Sequence, residues 1–240
     1  IVTWSDPDDY PKGGELYNAD MAGRHLKGLT HNDAYDAEIS VSPDGKWIVF
    51  GRQTNGSMDL WRMRADGSDE QQITFTKDWD EGRPMFLPDS QTIMFRAWKY
   101  EDYGKIRPTP MTVFTIKLDG TGLTPRTPPD TGMNWSSYPA PDGRHFTAVR
   151  VVENNNWEVF LYDMERPNAP PERLTWNAKF DGLDSISPDG RKLLFARATG
   201  DGFMSDLYTF VMDISSLGIG PEHYTGKIPS RPATKAEPGW

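Results

Sequence analysis

Cysteine is absent from the 240 residues, which removes disulfides, thiolate nucleophiles, zinc-cysteine centres and covalent haem attachment together. Histidine is scarce. His25, His31, His145 and His223 fall at unrelated positions, and no His-x-x-x-His or His-Glu-x-x-His spacing pairs two of them on one metal. They read as surface or turn residues, so neither a resident metal nor a cofactor is expected. No Gly-x-Ser-x-Gly nucleophile elbow occurs, and no hydrolase, oxidoreductase or transferase activity is expected within these residues. No apolar run approaches the roughly 20 residues that cross a bilayer as a helix. Positive charge is in deficit, 26 Lys and Arg against 35 Asp and Glu for a net −9. Such a field repels a phosphate backbone or an anionic membrane surface, which excludes nucleic acid as an expected partner. Residue 1 is Ile and no leader is readable.

What is present is repetition. The turn Ser42-Pro43-Asp44-Gly45 returns as Leu87-Pro88-Asp89-Ser90, Ala140-Pro141-Asp142-Gly143 and Ser187-Pro188-Asp189-Gly190, at proline spacings of 45, 53 and 47 residues. Proline presets φ for the first central position of such a turn, Asp bonds its own backbone, and Gly takes the positive φ that closes it. Apolar triplets follow in register: Ile48-Val49-Phe50, Ile93-Met94-Phe95, Phe146-Thr147-Ala148 and Leu193-Leu194-Phe195. A third strand comes next, such as Leu60-Trp61-Arg62-Met63, then a turn such as Asp66-Gly67 and a short fourth strand closing on Ile73-Thr74, Leu123-Thr124 or Leu174-Thr175.

A four-stranded unit of about 45 residues without intervening helix is the pattern of propeller blades. The predicted class is all-β: a β-propeller of four-stranded blades, five to six when complete. Its predicted organisation is a partial blade over 1–32, blades over 33–75, 76–128 and 129–176, a partial blade over 177–220, and an extended Pro-rich tail over 221–240. The partial first copy predicts an upstream segment that supplies strands to both end blades.

The Ser-Pro-Asp-Gly turn, the apolar triplet and Leu-Tyr or Leu-Trp before an Asp-Gly turn resemble the TolB-like propeller repeat of bacterial envelope proteins, over residues 1–214. The resemblance implies a non-enzymatic protein-binding or scaffold subunit, periplasmic or on the outer face of a bacterial cell, whose partners are other envelope proteins or a membrane-protein complex. The repeat also resembles propellers that gate peptidases. The rival reading is therefore the gating propeller of a larger serine peptidase or hydrolase with its catalytic domain outside this sequence. A metal-dependent lyase-like reading is weakened by the missing histidine ring.

Two regions stand out as partner sites. The start of each first strand falls near one mouth of the central channel: Asp36 and Glu38, then Trp79, Asp80 and Arg83, then Asn134 and Trp135, then Phe180 and Asp181. Aromatic faces among carboxylates suit a peptide or protein tail; the same residues equally suit bonding between blades. The long segment from Trp98 to Met111 accounts for the 53-residue spacing and carries Trp98, Tyr100, Tyr103 and Arg107. Insertions in repeat proteins project as loops and often bind. The two surfaces are expected to be separate. Arg52, Arg150 and Arg197 each follow an apolar triplet and suggest a row packed between blades, the acidic stretch Asp6 to Asp9 reads as a solvated loop, and the tail from Ile228 suits extension along a neighbour.

Overall fold

A computed structural model describes residues 2–4, 13–54, 56–128 and 132–230. The acidic stretch Asp6 to Asp9 and residues 231–240 lie outside them.

The regular structure of the described chain is nearly all strand, its only helical pieces being three-residue 3₁₀ turns. A three-stranded sheet opens it, β1 (Val2–Trp4), β2 (Glu15–Asn18) and β3 (Lys27–Gly28). Three blades of four antiparallel strands follow. They are β4 (Tyr35–Val41) to β7 (Gln71–Gln72), with β5 (Trp47–Thr54) and β6 (Ser57–Arg64) between; β8 (Trp79–Phe86), β9 (Thr92–Lys99), β10 (Thr112–Lys117) and β11 (Thr124–Pro125); and β12 (Trp135–Pro139), β13 (His145–Val152), β14 (Asn156–Asp163) and β15 (Glu172–Arg173). The last blade has three strands, β16 (Asp181–Ile186), β17 (Lys192–Ala198) and β18 (Leu207–Asp213).

Each Pro-Asp turn behaves as its chemistry dictates. Asp89 Oδ1 accepts the backbone N–H of Gln91 and Thr92, and Asp142 Oδ1 those of Arg144 and His145. The fourth turn position is left-handed in all four copies, with φ of 71°, 68° and 70° at Gly45, Gly143 and Gly190. Ser90 takes φ 55° where the others have Gly, and its hydroxyl accepts the N–H of Asp44 from the preceding blade. The strand-closing threonines are equally regular: Thr30, Thr74, Thr127 and Thr175 each accept a third-strand N–H, from Leu16, Leu60, Val113 and Val159 at 2.8–3.0 Å; in the second blade the role falls to Thr127 and not to Thr124, which pairs within β11.

The core is divided among the interfaces between successive sheets. Leu16, Ile48, Phe50 and Met63 join the first sheet to the first blade; Val49, Phe86, Phe95 and Phe114 join the first and second blades; Met94, Val113, Phe146 and Phe160 the second and third; Val149, Leu161, Leu193 and Phe195 the third and last. One register position reports this stacking. Val49, Met94 and Thr147 are fully buried under the following blade, whereas Leu194, their counterpart in the last blade, is 42% exposed beside Val211 at 60%.

Antiparallel alternation sorts the connections to two ends. The Pro-Asp and Asp-Gly turns share one end, and the first-strand starts share the other with the loops joining second to third strands. The turn end is crossed by the chain itself. After Ile214, Gly220 packs on Gly190, Tyr224 and Ile228 on Gly143, and residues 228–230 reach Thr92, Thr115 and Arg126 of the second blade. The segment expected to extend along a neighbour is, through Ser230, a strap over its own propeller, held by Ile219 and Ile228 entering core clusters.

Candidate functional site

The mouth residues divide into three groups by register. Asp36, Glu81, Asn134 and Asp181 occupy one repeated position and are almost wholly buried. A buried polar group must be paired, and each is. Asp36 receives Arg52 Nε and Nη2 at 2.6 and 2.7 Å, Asp181 receives Arg197 at 2.8 and 2.6 Å, and Asn134 bonds Met111 O and the Tyr162 hydroxyl. The arginine row is thus built within blades: Arg52 and Arg197 clamp the first-strand carboxylate of their own sheet, and Arg150 lies over Phe160. Burial works against the charge on Arg52, yet Asp36 and Glu70 outweigh it and hold the guanidinium above its ordinary value. Glu81 has no such cation. Burial first, with Asp59 and Asp80 nearby, pushes its carboxyl up to about 8 although the Thr74 and Thr76 hydroxyls bond it. Asp80 is also raised by burial while accepting the Met58 N–H across the blade boundary.

Two residues along, Glu38, Arg83, Ser136 and Leu183 stand at a bulge in each first strand, all with φ between 51° and 56°. Non-glycine residues rarely adopt this region, and each costs about 1–3 kcal/mol that the surroundings must supply. Here a side-chain chain does so. Glu38 accepts the Arg83 N–H and pairs with Arg96 at 3.0 Å; Arg83 donates to Ser136 Oγ and to the Asp184 carbonyl. Asp184, raised by burial, accepts the Thr147 hydroxyl. These contacts tie the innermost strands of four successive blades.

The third group is aromatic and meets the long loop. Trp135 packs edge-on against Trp157 at 5.6 Å and Phe180 at 6.3 Å, and Trp157 and Phe180 reach Phe203 at 5.2 and 5.7 Å. Trp79 instead packs edge-on against Phe114, into the core. Trp98, expected to begin the long loop, still lies in β9, its ring 6.2 Å from Tyr103, and Tyr100 opens a 3₁₀ turn over Tyr100–Asp102. The loop's far end is pinned where the Met111 N–H donates to the Gly132 carbonyl and the Asn134 N–H to the Met111 carbonyl. It therefore leans over the third blade, and Tyr103, Arg107, Pro108, Met133, Trp157 and Phe203 line one groove of about 590 Å³.

The two surfaces expected to be separate are joined. Both lie at the same end, and the Trp157–Phe203 pair bridges from the groove to Trp135 and Phe180. Sequence reasoning missed Trp157 and Phe203. The signal was the loop from Thr199 to Asp206, which joins second to third strand as the long loop does and so must project at the same end.

A second concavity, about 710 Å³, lies beneath the strap at the turn end, with Arg144, His145 and Lys227 in its wall. Its charges are largely spent on each other: Arg144 bonds Asp163 and Glu165, and His145 Nδ1 bonds Asp142 at 2.5 Å. Among the described residues no group of carboxylates and imidazoles has the geometry to hold a metal ion, and no helix is long and apolar enough to cross a membrane.

No known family's sequence profile matches the chain. An uncharacterized protein of Agrobacterium fabrum is 28% identical over 140 residues, 57% of this chain and 47% of that protein. TolB from Acinetobacter baumannii superposes with a TM-score of 0.65 at 19% identity, over 83% of this chain and 46% of its own. A protein described as TolB from Agrobacterium tumefaciens gives 0.69 at 18% identity, over 83% and 70%. Enzymes share the architecture: an oligogalacturonate lyase superposes at 0.63 with 13% identity, covering 85% of this chain and 57% of the lyase, and a puromycin hydrolase at 0.58 with 13%, covering 82% and 30%. The chain thus spans about half the length of the Agrobacterium fabrum relative. Likeness at these identities speaks for architecture, and in architecture the chain is a β-propeller similar to the propellers of these TolB structures.

Proposed function

We propose that this chain is a non-enzymatic protein-binding module, a scaffold subunit in the periplasm or on the outer face of a bacterial cell that docks an envelope protein or membrane-protein complex. The observation that carries the reading is the meeting of Tyr103, Arg107, Trp157 and Phe203 in one open groove on a rigid sheet framework. Aromatic and arginine side chains dominate the energetics of protein interfaces, and loops on a stiff scaffold are where such anchors are usually presented. The likeness to TolB structures supports the compartment and the kind of partner.

The gating reading draws on the puromycin hydrolase likeness. The scaffold reading is supported by Arg83, which bridges from the second blade to Ser136 and Asp184 of the next two and so stiffens the inner strands.

The test is a photo-crosslinking amino acid at position 103 and, as control, at position 121 on the opposite end, each in the whole chain expressed in bacteria. A discrete protein adduct from 103 alone is expected. Equal adducts from both, or hydrolysis of puromycin or eliminative cleavage of oligogalacturonate by the purified chain, would overturn the reading.

A further inference from the structure

Three features of the groove constrain what it holds. Its floor is aromatic and open: Tyr103 is 66% and Phe203 56% exposed, and Phe203 lies against the Trp157 ring. Exposed rings grouped in a concave site gain most by covering an apolar group of matching size. Its lining holds one charged side chain, Arg107. Most of the chain's other guanidiniums are committed: Arg52 to Asp36 and Glu70, Arg96 to Glu38, Arg144 and Arg166 to Asp163, Arg173 to Glu158, and Arg197 to Asp181. Arg107 makes no ion pair among the described residues. An uncompensated guanidinium beside an apolar floor, in a chain of net charge −9, selects an anionic group and binds it more strongly as water leaves. Thirdly, the uncharged polar side chains of the lining are few: the Tyr103 hydroxyl, the Asn155 amide and the Trp157 indole N–H, the last without a partner among the described residues, while the Thr109 hydroxyl is already given to the Ile106 carbonyl at 3.1 Å. A polyhydroxylated ligand would bury more hydroxyls than these groups can pair, which is costly.

We propose that the groove captures an extended peptide segment bearing a bulky apolar side chain next to an Asp or Glu, the apolar group lying on Tyr103, Trp157 and Phe203 and the carboxylate pairing with Arg107. This rests on the protein-binding reading above and specifies its ligand. The volume lies in the range of ordinary ligand sites, so a few residues fill it, and the remainder of the partner lies across the loops.

The test selects random peptides displayed on phage against the whole chain, then measures synthetic copies of the selected peptides by fluorescence anisotropy. The expected result is a recurring Asp or Glu adjacent to Trp, Phe, Tyr, Pro or Leu, with affinity falling about tenfold or more in Arg107→Gln and in Phe203→Ala and unchanged in Leu194→Ser on the uncovered face of the last blade. Both groove side chains are exposed, so the variants keep the fold. Selected peptides without acid, weakened by Phe203→Ala but not by Arg107→Gln, would overturn the ligand chemistry and leave a protein-binding groove. Peptides indifferent to both variants would remove the groove and leave protein binding elsewhere. Failure to select any peptide, with or without Arg107-dependent binding of oligogalacturonate as the second probe, would overturn both proposals, and such binding would make the ligand an acidic oligosaccharide.

Discussion

Glu38 accepts the backbone N–H of Arg83 although 45 residues separate them, and both are left-handed at the same register position of successive first strands. The bulge in one blade is thereby held by the bulge in the one before it, and Arg83 passes the link on to Ser136 and Asp184.

Breaking that link separates strain from bonding. Arg83→Ala leaves Ser136 and the Asp184 carbonyl without their donor and keeps a Cβ in the left-handed region, and is expected to cost about 2–3 kcal/mol in urea unfolding. Arg83→Gly loses the same bonds but relieves the backbone, so it should be milder by about 1 kcal/mol. Equal losses would show that the bulge carries no strain.

Glu81 sets a pH dependence. Its folded carboxyl titrates at about 8 against 4.5 for an ordinary one, so the folded state holds a proton that the unfolded chain releases as pH rises between those values. Stability contributed by this group is full below about pH 4.5 and falls by roughly 1.4 kcal/mol per pH unit up to about pH 8. Glu81→Gln, which cannot ionise, should flatten the decline of Tm between about pH 5 and pH 8. An unchanged slope would assign it to other groups.

The strap is tested at two glycines of identical role. Gly45 and Gly190 share a φ near 70°, but a Cβ at Gly45 meets nothing within 4 Å whereas at Gly190 it meets the Gly220 backbone at 2.6 Å. Gly45→Ala should cost only the left-handed penalty, about 1–2 kcal/mol. Gly190→Ala should cost more and expose residues 219–230 to proteolysis; equal behaviour would mean that the strap is not seated on the turn.

The last blade's free face should tolerate what the others do not. Met94→Ala is expected to cost about 2–5 kcal/mol, since it opens a cavity under the following blade, whereas Leu194→Ala at the equivalent exposed position should stay under about 1 kcal/mol. Serine at Leu194 and Val211 should also reduce self-association in sedimentation, because it breaks up a contiguous apolar surface beside β18, which has no outer partner strand among the described residues.

The sequence by itself determined the blades. Turn chemistry and strand alternation act over a few residues, so Ser-Pro-Asp-Gly and the triplets after it specify a hairpin wherever they occur, and four copies at nearly constant spacing stack because none can bury its faces alone. It also marked the long loop, as an irregularity in that spacing. Which way each first-strand side chain faces was decided only by the fold. A single bulge residue per blade moves the positions on either side of it onto opposite faces, so Asp36, Asn134 and Asp181, which read as lining a mouth, sit in the blades as buried bonding groups, while Glu38 and Arg83 tie successive strands. The groove is tertiary for the same reason: Tyr103 and Arg107, Trp157, and Phe203 come from three blades, and nothing local to any of them fixes how far the long loop leans over its neighbour. That is set by packing between blades, where residues about 50 positions apart become adjacent.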